Sequence, residues 1–332
     1  MTRLSRRGLL KMVGGAAALG VLSPPGQPWA GLLDRLLPAK SAERLPITPN
    51  EQFYLTSYRS PPDVRVADWS LHVKGAVDRP FPLTYEQLLA RPTVKEIVTL
   101  ECVGNGLAAD AISTAEWEGV RLRDLLQEAG LSSDAVDVVF HAADGYSDSL
   151  RVSRAMGEDV LVAVKMNGVP LPRAHGFPAR IIVPGVYGMK HVQWLTAVEA
   201  VTSDYHGYYQ RQGWSDEAGI KTSSHIDRPT RGESVQGPVV PVAGYAFAGA
   251  RGIRLVELSA DGGETWHPVD LQPPLSPFAW QFWSSQWKAP LPGRYSLTVR
   301  ATDGAGRLQS SLEQEAFPDG ATGLHDITVK VE

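Results

Sequence analysis

Lys95-Glu-Ile-Val-Thr-Leu-Glu-Cys102-Val-Gly-Asn-Gly106 carries a β-branched run into the only cysteine of a 332-residue chain, and then at once into a Gly-Asn-Gly loop. The run reads as a strand with Cys102 at its end. The glycines that follow leave open space above the sulfur. One cysteine excludes an internal disulfide framework. Three roles remain: an inert buried thiol, a nucleophile or a metal ligand. The chain has no Cys-x-x-Cys and no His-Glu-x-x-His, so a protein-only zinc site lacks its ligands. If Cys102 binds a metal, most of the coordination sphere must come from a cofactor.

Working outward, Thr84-Tyr-Glu-Gln87 has capping-box spacing and predicts a short helix ending at Arg91-Pro92. Leu122, Leu125, Leu126 and Ala129 share one helical face, with Gly130 as the stop. Val136–Phe140, Ala179–Val183 and Val192–Val198 read as further strands. The mixture lacks a regular βαβ rhythm, so the expected fold class is α+β, with this first domain over residues 51–206. Residues 207–237 are polar, with scattered Gly and Pro, and predict a connection. From 238 to 332 the texture is all-β. Ile253–Ser259, Arg294–Ala301 and Leu324–Val331 are strands, and Asp261-Gly-Gly263 is a turn before Trp266. Phe278–Phe282 alternates like a strand with one buried face, and the aromatics from Phe278 to Trp283 are assigned to the sandwich core. The pattern predicts an immunoglobulin-like β-sandwich without a disulfide.

Composition bounds the task. A 43% hydrophobic fraction supports a sizeable core, and a net charge of −4 supplies no broad basic field, which excludes nucleic acid as the main partner. Ser5-Arg6-Arg7-Gly8-Leu9-Leu10-Lys11 precedes a short Gly/Ala-rich apolar stretch to Leu22. Residues 1–30 are therefore expected to be a signal peptide resembling the twin-arginine type, followed by a spacer over 31–50. That route exports folded proteins, often with a cofactor already loaded, and predicts a periplasmic location.

Cys102-Val-Gly-Asn105 resembles the cysteine segment of the sulfite oxidase family of molybdopterin-dependent oxidoreductases. The likeness continues through Ala111-Ile-Ser-Thr-Ala-Glu-Trp-Glu-Gly119 and over the long stretch from Met166-Asn-Gly-Val-Pro-Leu-Pro-Arg-Ala-His-Gly-Phe-Pro to Tyr-Gly-Met-Lys-His-Val-Gln-Trp194. It implies a molybdopterin-binding domain of mixed α/β type, then a sandwich similar to the family's dimerisation domain, hence a homodimer. It implies a molybdenum cofactor with Cys102 as metal ligand and Tyr146 on the metal's open side. By the same resemblance Tyr54, Thr56, Ser57, Tyr58, Asp144, His175, Arg180, Lys190, His191, Val192 and Gln193 contact the cofactor. The implied reaction is oxygen-atom transfer on a small-molecule substrate. There is no Cys-x-x-Cys-His, so no haem is expected in this chain. An external electron carrier, a cytochrome c or a membrane haem protein, is then required.

The departures concern the substrate. Where the family carries Arg-Asn-His after an aromatic pair, this chain reads Phe53-Tyr-Leu-Thr-Ser-Tyr58, with Arg59 one place beyond. Where arginines follow the cysteine loop, Gly106-Leu107 stand. An altered substrate pocket is expected. Two rival readings are a thiol enzyme with Cys102 as nucleophile and His141 or His175 as base, and a non-enzymatic secreted binding protein.

Overall fold

The computed structural model describes residues 44–332. The expected signal and the spacer up to residue 43 lie outside the described residues. In chain order the first domain comprises β1 (Ser70–Gly75), β2 (Phe81–Thr84), α1 (Tyr85–Leu89), β3 (Val94–Glu101), β4 (Ile112–Arg121), α2 (Leu122–Ala129), β5 (Asp137–Ala142), β6 (Ser147–Arg151), α3 (Val152–Ala155), β7 (Leu161–Met166), β8 (Val169–Pro170), β9 (Arg180–Ile182), β10 (Leu195–Val201) and α4 (Tyr208–Arg211). One sheet has the order β2-β1-β10-β5-β6, with only β1 and β10 parallel. The other runs β3-β4-β7-β8, and β9 adds to β7.

Local chemistry sets the boundaries. The Thr84 hydroxyl accepts from Gln87 N, and the Gln87 side chain accepts from Thr84 N, so the capping box forms. Gly130 closes α2 at φ 70°, a conformation that costs other residues more. Leu122, Leu125, Leu126 and Ala129 are buried against Leu71, Phe140, Val162 and Val198, each large side chain contributing about 1.5–3 kcal/mol. This core lies between the two sheets.

The sandwich comprises β11 (Ser223–Arg228), β12 (Ser234–Val235), β13 (Val239–Phe247), β14 (Ile253–Ser259), β15 (His267–Pro268), β16 (Asp270–Leu271), β17 (Gln281–Lys288), β18 (Gly293–Asp303) and β19 (His325–Val331). Its sheets are β11-β13-β17-β16 and β12-β19-β18-β14-β15. Val242, Trp283, Leu297, Val299, Ile327 and Val329 fill the space between them.

Three boundaries differ from the sequence reading. The sandwich begins inside the stretch read as a connection, because β11 pairs with β13. β10 starts at Leu195 and not at Val192, since Trp194 adopts φ 51° and its indole N–H donates to Arg173 O at 2.7 Å. Val192, Gln193 and Trp194 are thereby freed to line a cavity. Residues 278–280 precede β17. Of the aromatics assigned to the sandwich core, Trp283 fills it, whereas Phe278 packs on the first domain and Trp280 stands at the seam, its ring against Tyr245 and Phe282. Thr99 N donates to Phe278 O at 3.0 Å, Trp280 N donates to the Thr99 hydroxyl at 2.9 Å, and Phe278 joins the cluster around Phe53 and Trp117. Period-2 alternation specifies a buried face, but not which layer buries it. Among the described residues no helix is long and apolar enough to cross a membrane.

Candidate active site

β3 delivers Cys102 to the wall of a cavity shared by eighteen of the described residues, Tyr54, Arg180 and Tyr209 among them. The loop after it is tied at both ends. Cys102 N donates to Ala111 O at 2.9 Å, and Asn105 N to Cys102 O at 2.9 Å. The Asn105 amide donates to Glu101 Oε1 at 2.9 Å and its carbonyl accepts from Ala111 N at 3.0 Å. Asn105 is therefore the clasp that fixes the sulfur's position. Glu101, fully buried, is pushed up to about 7 by desolvation, with the Asn105 bond opposing.

The thiol is held up by burial, while the Gly104 N–H and the Thr56 hydroxyl bond the sulfur and favour its anion. Gly188 brings the next turn close. A Cβ there would stand 2.8 Å from Tyr54 Oη and 3.7 Å from Cys102 Cα. No histidine bonds the sulfur among the described residues. His141 Nε2 pairs with Glu199 Oε2 at 2.8 Å, and His175 Nε2 donates to Asn50 O at 2.9 Å. The thiol-enzyme reading thus lacks its base.

Tyr54, Thr56, Ser57, Tyr58, Asp144, Tyr146, Arg180, His191, Val192 and Gln193 all line the same cavity as Cys102. Arg180 is 3% exposed. It donates to His175 O at 2.9 Å and His191 O at 3.1 Å and lies over Trp117, 4.9 Å from the ring centre. No carboxylate pairs with it among the described residues, its Nε has no partner, and desolvation lowers its pKa to about 10. Asp144 Oδ1 accepts from Tyr146 N at 2.9 Å, while its buried Oδ2 has no partner. His191 is fixed in one tautomer. Its Nδ1 accepts from Val183 N at 3.2 Å and its Nε2–H donates to Val186 O at 3.2 Å. Burial and Arg180 depress it to about 3.

Two expected contacts stand apart. The Lys190 ammonium, 2% exposed, spends its three protons on Asp148 Oδ1 at 2.8 Å, Ser149 O at 3.0 Å and Asp216 Oδ1 at 2.9 Å. His175 does not line the cavity either; its carbonyl anchors Arg180. Tyr146 lines the cavity, and its hydroxyl lies 2.9 Å from both Asp148 Oδ2 and Met189 O. Among the lining residues the sequence reading missed, Phe53, Leu100, Val103, Gly188, Met189 and Trp194 complete the wall, and Tyr209 carries a titratable hydroxyl. Its pKa is raised to about 12, chiefly by burial and then by the nearby Cys102. The Tyr205–Tyr209 aromatic cluster was its only sequence signal.

The donor set fits a molybdopterin. A phosphate-bearing group calls for a cation and N–H donors, and a pterin edge calls for a buried acceptor. An unpaired guanidinium and an unpaired carboxylate oxygen stand in the wall of a cavity that also holds the lone cysteine.

The comparisons agree. Residues 58–209 match the oxidoreductase molybdopterin binding domain, and residues 218–316 the Mo-co oxidoreductase dimerisation domain. Mitochondrial sulfite oxidase of Homo sapiens is 35% identical, over 82% of this chain and 56% of that protein. Sulfite oxidase of Gallus gallus is 32% identical, over 81% of this chain and 69% of that protein. The chain thus spans little more than half the length of the human relative. The structure of the sulfane dehydrogenase SoxCD from Paracoccus pantotrophus superposes with a TM-score of 0.76, covering 88% of this chain and 85% of that one at 22% identity, and shares the fold. With these two matched domains and relatives, the chain belongs to the sulfite oxidase family of molybdopterin-dependent oxidoreductases.

Proposed function

We propose that this chain is an exported, periplasmic enzyme that transfers an oxygen atom to or from a small sulfur- or nitrogen-containing substrate and exchanges electrons with an external carrier. The observation that carries the reading is the lone cysteine opening into a cavity walled by a carboxylate-free buried guanidinium. When bound, the molybdenum cofactor supplies the two-electron redox centre and the oxygen-carrying metal. Cys102 would ligate the metal, with Thr56 and Gly104 stabilising its thiolate. Arg180 and Asp144 would hold the pterin and its phosphate. Tyr54 and Tyr209 make no hydrogen bond to the protein through their hydroxyls among the described residues, which suits them to orient a substrate oxygen.

The pocket favours a neutral or weakly charged substrate over a doubly charged anion. Among the described residues Arg180 is the one cation in the lining, and each missing arginine removes charge-assisted bonds worth about 1.5–3 kcal/mol. Arg59 stacks on Tyr58, 5.0 Å from its ring centre, outside the lining. Electrons pass singly to a cytochrome c or membrane haem protein, and the sandwich supplies a homodimer contact. The test is molybdenum and pterin content with visible absorption, in protein produced with its leader in a molybdenum-replete host. Near-stoichiometric metal, lost in Cys102→Ser, is expected. Substoichiometric molybdenum unchanged by Cys102→Ser overturns the reading.

A further inference from the structure

Behind the cavity lies a run of hydrogen-bonded groups that the chemistry above does not use. Tyr146 lines the cavity, and its Oη is 2.9 Å from Asp148 Oδ2. Asp148 Oδ1 is 2.8 Å from Lys190 Nζ, which is 2.9 Å from Asp216 Oδ1. The first two of these charges are sealed: the Asp148 side chain is 0% exposed and that of Lys190 2%, while that of Asp216 is 34% exposed. At the outer end, Asp216 lies with Asp204 and His206, one polar side-chain atom of each within 4.8 Å of the others, and the latter two are exposed. Every member of the run can both take and give a proton. We propose that Tyr146–Asp148–Lys190–Asp216 is the path by which protons pass between the cavity and solvent.

The inference rests on the reading under Proposed function. Oxygen-atom transfer obeys substrate + H₂O → substrate oxide + 2 H⁺ + 2 e⁻, with the electrons reducing two molecules of a one-electron acceptor such as a ferric haem protein. Protons must therefore cross the cavity wall in the same number as electrons. Outward, Lys190 gives a proton to Asp216. Tyr146 gives its own to Asp148 Oδ2 as it takes one from the cavity. Asp148, turned about its Cβ–Cγ bond, then reprotonates Lys190. At each hop one O–H or N–H bond breaks and one forms, and no charge is left behind. The reverse order serves oxide reduction.

A purely structural role explains less. Met189 O already stands 2.9 Å from the phenol, so an acceptor for Tyr146 exists without Asp148. A buried ion pair costs several kcal/mol per ion in desolvation, and a neutral amide would position the ring as well. Burial also pushes the Asp148 carboxyl up despite the opposing Lys190, toward the range where it can carry a proton. Gln210 Nε2 and Ser149 N are the remaining donors to Asp148, and neither titrates. At the exposed end His206 offers an imidazole, the side chain best suited to hand a proton to buffer.

The test uses holoenzyme reduced by electrochemically reduced methyl viologen, which delivers electrons without protons. A pH-indicator dye in weak buffer reads proton uptake, and visible absorption reads reduction. In the unmodified enzyme the two are expected to coincide. In Asp148→Asn and Asp216→Asn uptake is expected to lag reduction by at least tenfold, with imidazole buffer restoring Asp216→Asn. Uptake that keeps pace with reduction in both variants overturns the path. If Asp148→Asn does not fold, Asp216→Asn, at the surface end, decides alone. Absence of molybdenum and of any reducible absorption overturns the functional reading beneath it, and is seen independently of the dye.

Discussion

Replacing Arg180 by methionine separates a cofactor-binding role from a structural one. In the empty protein the substitution removes two bonds to carbonyls, at 2.9 and 3.1 Å, worth about 1.5–3 kcal/mol each because the donor is charged. It also removes the stacking over Trp117, about 0.5–2 kcal/mol. Against this, burial that lowers the guanidinium to about 10 costs the charged form roughly 3 kcal/mol, and that cost disappears. The balance is a loss of about 0.5–5 kcal/mol in the cofactor-free protein, a lowered melting temperature without loss of fold. The loaded protein loses more. One charge-assisted bond from Nε to the cofactor is worth a further ~1.5–3 kcal/mol, which is roughly 10- to 150-fold in retention. Calorimetry of both forms, with metal and pterin analysis after dialysis, reads the difference. Arg180→Met that lowers both melting temperatures equally and retains its molybdenum refutes the assignment of this charge to the cofactor.

Acid should weaken the fold through His191 and His325. Both are held below the ordinary histidine value by burial, His191 to about 3. Through His191 the unfolded chain binds more protons between about pH 6.5 and 3, and that contribution is lost as pH falls through the window; Glu101, raised to about 7, opposes it down to the ordinary carboxylate value of 4.5, so the net loss is steepest below that. The slope is about 1.4 kcal/mol per pH unit for each such histidine, to be measured by urea unfolding at stepped pH and flattened in His191→Asn. Gly188→Ala places a methyl 2.8 Å from Tyr54 Oη and 3.2 Å from Glu101 O. It is expected to displace the phenol and lower molybdenum content, read by metal analysis, while near-native circular dichroism is kept.

What the sequence made legible was local. The capping box at Thr84, the helix from Leu122 to its Gly130 stop, and the strand ending at Cys102 each follow from neighbours a few residues apart. The cofactor-facing residues came from motif likeness, and most of them converge on one cavity. Illegible was whatever depends on distant partners. Lys190 finds Asp148 across 42 positions, so nothing in Lys-His-Val-Gln reveals that its charge is consumed inward. Trp280 reaches Pro46 O across 234 positions, which no periodicity encodes. Trp194 broke a strand pattern because a positive φ and an indole bond to Arg173 outweighed the β propensity of Val192.

Three residues before Cys102, Thr99 donates its backbone N–H to Phe278 O, and its hydroxyl accepts from the Trp280 N–H. Arg44 bridges Asp110 of the cysteine loop and Asp227 of the sandwich, at 3.0 and 3.4 Å. The two halves are therefore not interchangeable parts. A chimera that grafts another family member's sandwich onto this first domain will shift the sulfur unless the graft also carries a matching Phe-Ala-Trp hook and the aspartate that receives Arg44.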